Sequence, residues 1–420
     1  MNARRLRPST VDTEASAMKT PISLLCACLP VLAWAAPYTP NDGSAVIEQL
    51  PRRADATQSE LRALRQRLDA TPQDLALAAS LAQRYIALAR SDTDPRYLGY
   101  AQAALAPWWR QAAPPLPVRL LRATILQSTH HFGAALQDLD AVIAQQPQNA
   151  QAWLTRATVL TVQGDYAHAT ASCARLSALT TQLVTVTCIA NVASVTGRAA
   201  ASERLLELTL QRSAGAAPEL ESWAATLLAE MATRRGETTL ADTRYKSALA
   251  RQPRDSYLLG AYADFLLDRQ RPQEVVQLLQ DRQRIDALLL RYALALQALP
   301  GKQAAFLAAK AELAARFNAA MQRGDTVHQR EQARFALFLQ QDVPAALQLA
   351  QKNWAIQKEV PDMRILLEAA LAARNYGAAR PVLAWIAANG VEDEALQRLV
   401  RQLGPQEGQK ISFTRKAGVL

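Results

Sequence analysis

From residue 116 onward, apolar side chains recur at helical spacing in short segments separated by polar turns. In 116–149 an apolar segment carries Ala123 on its inner face, reaches a turn at His130-His131, passes Phe132 and reopens on Ala135. In 150–183 the same places are taken by Ala157, Gly164-Asp165, Tyr166 and Ala169, so that Arg122-Ala123-Thr124 and Arg156-Ala157-Thr158 stand 34 residues apart. The first unit ends at "QQPQN", where Pro147 stops the helix because it has no N–H to donate to a preceding carbonyl. Two antiparallel helices with small residues at their crossing can approach closely. The pair then exposes an apolar face that another copy must cover.

The pattern continues. Residues 222–255 keep Ala229, Gly236, Ala241, Tyr245, Ala248 and Pro253 in phase, 256–289 keep Ala263, Val275 and Leu279, and 183–221 keep Ala190, Gly197 and Ser202 before a longer linker. "LFLQQDVPAALQLA" and "LAARNYGAARPVLA" restate the motif near the C-terminus, with Ala346 and Ala379 at the small position. In 75–115 Ala82 and Ala101 lie too far apart, and the excess, "SDTDPRYLGY", is expected to bulge as a loop or extra turn. Residues 44–70 read as a capping helix pair, and 286–326 as a longer hairpin ending at Gly324-Asp325. The chain thus divides into a leader (1–35), an N-terminal helical cap with a degenerate repeat (36–115), core repeats (116–289), C-terminal repeats (290–403) and a tail (404–420) whose lack of apolar period predicts disorder.

Trp153, Ala157, Gly164, Tyr166 and Ala169, with Pro147 before them, resemble the signature of the tetratricopeptide repeat family. The resemblance implies an all-α, right-handed superhelical solenoid of antiparallel helix pairs whose first helices line a concave groove that binds peptides or partner domains. Carried onto this chain, the groove positions are Leu120, Thr124 and Gln127, then Leu154, Thr158 and Thr161, then Thr187, Asn191 and Ser194, then Trp223, Glu230, Tyr257, Asp264 and Asp268. Hydroxyls and amides among apolar residues suit an extended chain whose backbone needs hydrogen bonds. The family's clamp for a C-terminal carboxylate needs Lys where Leu120, Leu154 and Thr187 stand, which disfavours a chaperone-tail adaptor.

Composition adds compartment rather than chemistry. Half the residues are apolar, aromatics are few and only 15 are Gly, which favours close-packed helices. The excess of 47 Lys+Arg over 37 Asp+Glu is spread as single arginines without a basic run, so no nucleic-acid partner is expected. "MKTPISLLCACLPVLAWAAPYTP" from Met18 reads as a secretory signal cleaved after Ala35, too short in its apolar run to span a membrane. Met18 is then the alternative start, because Asp12 and Glu14 precede it. Removal of 1–35 takes away four basic and two acidic residues and lowers the formal charge from +10 to +8. A lipid anchor near Cys26 or Cys28 is the alternative, but it leaves little apolar segment before the cysteine. Cleavage leaves Cys173 and Cys188 alone in an exported chain, a candidate disulfide. They flank the turn near Leu179 to Gln182 at equal height on antiparallel helices, which sets their α-carbons about 5–6 Å apart.

No sequence signature of catalysis is present: there is no G-x-S-x-G, H-E-x-x-H, Walker loop or helix-opening G-x-G-x-x-G. His130 and His131, with His168, invite a metal, but adjacent turn residues point apart, so neither metal nor cofactor is expected. At least one of Trp108 and Trp109 is expected to seal the N-terminal repeat, and Glu392-Asp393-Glu394 to start a helix. The expected protein is a periplasmic, non-enzymatic scaffold binding a protein or peptide in its groove. The alternatives are a subunit of an outer-membrane or polysaccharide-export assembly, and an envelope hydrolase or its activator.

Overall fold

The computed structural model describes residues 56–404 apart from 92 and 326. The expected leader, cleavage site and tail beyond Gly404 lie outside these residues, as does the first half of the expected capping pair. Among the described residues every regular element is helical. The N-terminal part holds α1 (Ala56–Ala70), α2 (Leu75–Ser91), α3 (Arg96–Ala104) and the short α4 (Ala106–Trp109). Five antiparallel pairs follow: α5 (Leu116–Ser128) with α6 (Phe132–Gln145), α7 (Ala150–Gln163) with α8 (Tyr166–Arg175), α9 (Gln182–Ala193) with α10 (Ala199–Arg212), α11 (Pro218–Arg234) with α12 (Thr238–Arg251), and α13 (Ser256–Asp268) with α14 (Pro272–Leu279). The C-terminal part comprises α15 (Asp286–Gln297), α16 (Gln303–Gln322), α17 (Gln329–Arg334), α18 (Val343–Ile356), α19 (Val360–Ala372), α20 (Tyr376–Asn389) and α21 (Glu394–Leu403). Successive helices pack on one another in chain order, the arrangement of tetratricopeptide-like pairs.

The repeated residues explain the repeated geometry. Ala123, Ala135, Ala152, Ala157 and Ala169 are all essentially inaccessible, which lets the backbones of α5 to α8 approach closely. The recurring arginine has a structural partner sixteen residues on. Arg122 donates to Asp138 on α6 at 2.6 and 2.7 Å, and Arg156 donates to Ser172 on α8 at 2.8 Å. Each ties the first helix of its pair to the second. Asn149 caps α7 through the Ala152 N–H, and Trp153 donates its indole N–H to the Pro147 carbonyl, so the proline that ends α6 also anchors α7. Gly164 closes α7 in the left-handed conformation, at φ +82°.

Two departures have local causes. Of the excess residues between Ala82 and Ala101, 93–95 form a break and 96–100 open α3, and both alanines still reach the N-terminal core with Trp108. A π-helical stretch, Phe335–Gln340, runs on from α17 and sets Phe335, Ala336 and Leu339 inward.

Cys173 on α8 and Cys188 on α9 form a disulfide, with α-carbons 5.6 Å apart. It joins two consecutive repeats inside a cluster that also includes Leu176 and Val192.

Candidate functional site

The structure divides the expected groove residues into two sets. Thr161, Asn191, Tyr257 and Asp264 converge on a cavity of about 330 Å³ on the inner side of the first helices. Thr124, Thr187 and Ser194 do not present a binding surface: they are 6%, 0% and 1% exposed. Their hydroxyls donate back into their own helices, Thr124 to the Leu120 carbonyl at 2.9 Å, Thr187 to Leu183 at 2.6 Å and Ser194 to Asn191 at 2.8 Å. A helix interface accepts threonine when the preceding turn takes the hydroxyl proton, so a polar residue in phase with the groove can still face a neighbouring helix. Trp223 likewise packs against the disulfide cluster. Gln127 is half-exposed and Thr158 exposed, and neither lines the cavity.

Missing from the sequence reading is what closes the other side of that cavity. Residues of α17, α19 and α21 line it together with α11 and α13. Arg334 pairs with Asp264 at 2.9 Å, Arg364 pairs with both oxygens of Asp268 at 2.7 Å, and Arg269 pairs with Glu394 at 3.3 Å. Asp264 and Asp268 lie one turn apart on α13, and each receives an arginine from the C-terminal helices. That i, i+4 acidic pair, set against Arg330, Arg334 and Arg364, is the sequence signal that was available.

The turns joining the helices of the five core pairs are met in succession by this C-terminal part. At the first, His130 bonds Gln357 at 2.9 Å. At the second, the Lys358 N–H donates to the Val162 carbonyl at 2.8 Å, and a β-carbon on Gly164 would overlap the Trp385 ring. Gly197 lies against Gly390 at the third, Gly236 against Glu394 at the fourth, and Arg269 supplies the fifth contact through the same Glu394.

Inside the cavity the electrostatics are balanced by pairing. Tyr257 is 64% exposed, and its hydroxyl donates to Glu230 at 2.8 Å, which fixes the ring. Burial pushes the Glu230 carboxyl above its ordinary range, against the opposing pull of Arg234 and Tyr257. The neighbouring charge of Glu230 raises the Tyr257 phenol well above its usual value and keeps it a donor. Burial alone would raise Asp264, but Arg291 and Arg334 outweigh it and hold the group well below the usual carboxylate range. The side-chain amide of Asn191 points to no hydrogen-bond partner among the described residues, so donors and an acceptor remain for a ligand.

Histidines do not converge on a metal position. His130 stacks on Phe132, with ring centroids 5.4 Å apart, while His168 pairs with Asp165 at 2.8 Å. Among the described residues no group of three or more His, Cys, Asp and Glu could hold a metal ion, and no helix is long and apolar enough to cross a membrane.

No protein-family model and no curated protein matches the chain. Among solved structures, the chain is similar to a tetratricopeptide repeat protein from Parabacteroides merdae, at 13% identity over 69% of this chain and 98% of that one, with a TM-score of 0.33. A human IFIT1 dimer with m7Gppp-AAAA is similar at 15% identity, over 83% of this chain and 87% of that one, with a TM-score of 0.37. The Cut9–Hcn1 hetero-tetramer of the APC/C is similar at 11% identity over 83% of this chain, with a TM-score of 0.37, and this chain spans about half (53%) of that one. At these scores the repeat architecture rests on the helix pairs themselves.

Proposed function

We propose that the protein is a non-catalytic interaction scaffold that holds a protein or peptide segment against the inner side of its core repeats, in the periplasm and as part of an envelope process. The observation that carries this reading is Tyr257. A large aromatic, its hydroxyl locked on Glu230, faces a cavity lined by Asn191, Thr161 and Asp264, where most large side chains of the array are buried in helix contacts. A fixed aromatic face beside an unpartnered amide is what an extended segment needs: apolar contact for a side chain and hydrogen bonds for a backbone. The compartment is supported by the leader-like residues 18–35 and by the Cys173–Cys188 disulfide, a bond that persists in oxidising surroundings.

A photo-reactive phenylalanine analogue, p-benzoylphenylalanine, placed at Tyr257 in living cells tests the reading. One or a few discrete protein adducts are expected from Tyr257, and none from a control at Leu208, which is 50% exposed on α10. Adducts from Leu208 with none from Tyr257 would move the binding surface to the outer helices.

A further inference from the structure

We propose that the C-terminal repeats, α17 to α21, are an autoinhibitory arm: they occupy the inner side of the core repeats as an internal ligand and swing away when a partner binds. The role of the arm rests on the scaffold reading above, but its opening does not.

The seam between arm and core differs from the rest of the array. The arm has its own apolar core, including Ile365, Leu366, Leu367, Val382 and Leu396, separate from the clusters of the repeats it faces. Trp385 and Ile356 are the apolar side chains that reach from the arm into the clusters of α5 to α9, while Phe335 and Leu339, at its root, pack with α15 and α16. Polar contacts add to these: Arg364 with Asp268, Arg334 with Asp264, Arg269 with Glu394, His130 with Gln357, the Lys358 N–H with Val162 and the Tyr166 hydroxyl with the Lys358 carbonyl. The Arg364–Asp268 side chains are 33% and 24% exposed, and those of Arg269 and Glu394 26% and 39%, so salt reaches both pairs. Interfaces of this polar kind within a chain permit relative motion, whereas consecutive repeats are joined by shared apolar clusters, as α9 and α11 are through Leu183, Val186, Leu227 and Leu228. Closed, the arm satisfies Asp264 and Asp268. Open, it uncovers the inner face of α11 and α13 around the already exposed Tyr257.

The Lys358 amide reports the closed state directly, because its hydrogen bond crosses the seam to Val162. Hydrogen exchange of the full chain, resolved to this amide, is expected to be faster in Arg364→Glu with Trp385→Ala by at least about tenfold, and to quicken between 0.05 and 1 M salt in the wild type to about the same degree. Amides inside α13 and α19 should keep their wild-type rates, showing that both halves stay folded. Adding Asp268→Arg to Arg364→Glu alone, with Trp385 retained, should restore slow exchange by re-forming the pair in reverse. If the Lys358 amide exchanges as slowly as the α13 interior in the double variant and at high salt, the arm is a fixed part of the fold and the proposal fails. If the amide is released but the yield of Tyr257 adducts does not rise, the arm opens and it is the partner surface that has been misplaced.

Discussion

At the scale of single residues, His130 shows how a turn is used twice. It sits at φ +60°, a left-handed conformation that Asn also tolerates, and accepts from Gln357 across the seam while stacking on Phe132. Burial, helped by the charge of Arg330, lowers its pKa from 6.5 to about 4. The unfolded chain therefore takes up a proton near pH 6.5 that the folded protein refuses until about pH 4. Stability is fully present above the unfolded value and declines as the pH falls through this window. Asp362, linked to the same network through Asn353, acts in the opposite sense: burial raises its pKa to about 6, so its protonation favours the folded state as the pH falls through the same range. Comparing wild type with His130→Asn isolates the histidine. The urea midpoint of the wild type should fall relative to the variant between pH 7 and pH 4.5, and the ring should titrate by NMR near 4. Equal midpoints at both pH values, with the ring titrating near 6.5, would place His130 in water.

At the scale of elements, the disulfide joins α8 to α9 and so fixes one repeat to the next. It closes a sequence separation of 15 residues, for which chain entropy gives about 3 kcal/mol, less any strain. Because repeats couple mainly to their neighbours, the loss should fall on the α7–α10 region first. Cys173→Ala with Cys188→Ala is expected to lower the denaturation midpoint and to speed exchange in α8 and α9 before α13. A variant as stable as wild type would show that the Leu176 and Val192 contacts alone hold this junction. The elements also show what was readable in the sequence. Ala123, Ala157, Ala169, Gly164 and Pro147 predicted both helices of each pair and their close approach, because a small residue at a crossing leaves few alternatives. The phase of the groove was less legible. Residues four apart differ by only about 40° around a helix, so Thr187 and Asn191 share a face, yet the first packs against a neighbouring helix and the second reaches the cavity, a difference that depends on where the neighbour ends and not on the local pattern.

At the scale of the whole described array, the partnership of α13 with α17 and α19 depends on how successive pairs accumulate rotation, and no local pattern encodes that. Sequence placed Asp264 and Asp268 on the inner face but could not foresee Arg334 and Arg364 arriving there from 70 and 96 residues away. The same accumulation brings Gly197 beside Gly390, where a β-carbon on one would lie within 4.0 Å of the other's backbone. That proximity provides a lock for the seam. Gly197→Cys with Gly390→Cys, both at left-handed positions that cysteine occupies at a cost of about 1–2 kcal/mol each, should form a disulfide verifiable by mass spectrometry. With the lock closed, Tyr257 carrying the photo-reactive analogue should give fewer protein adducts than either single cysteine variant. Adducts undiminished by a fully formed lock would mean that partners do not enter by displacing the arm, and would contradict the account.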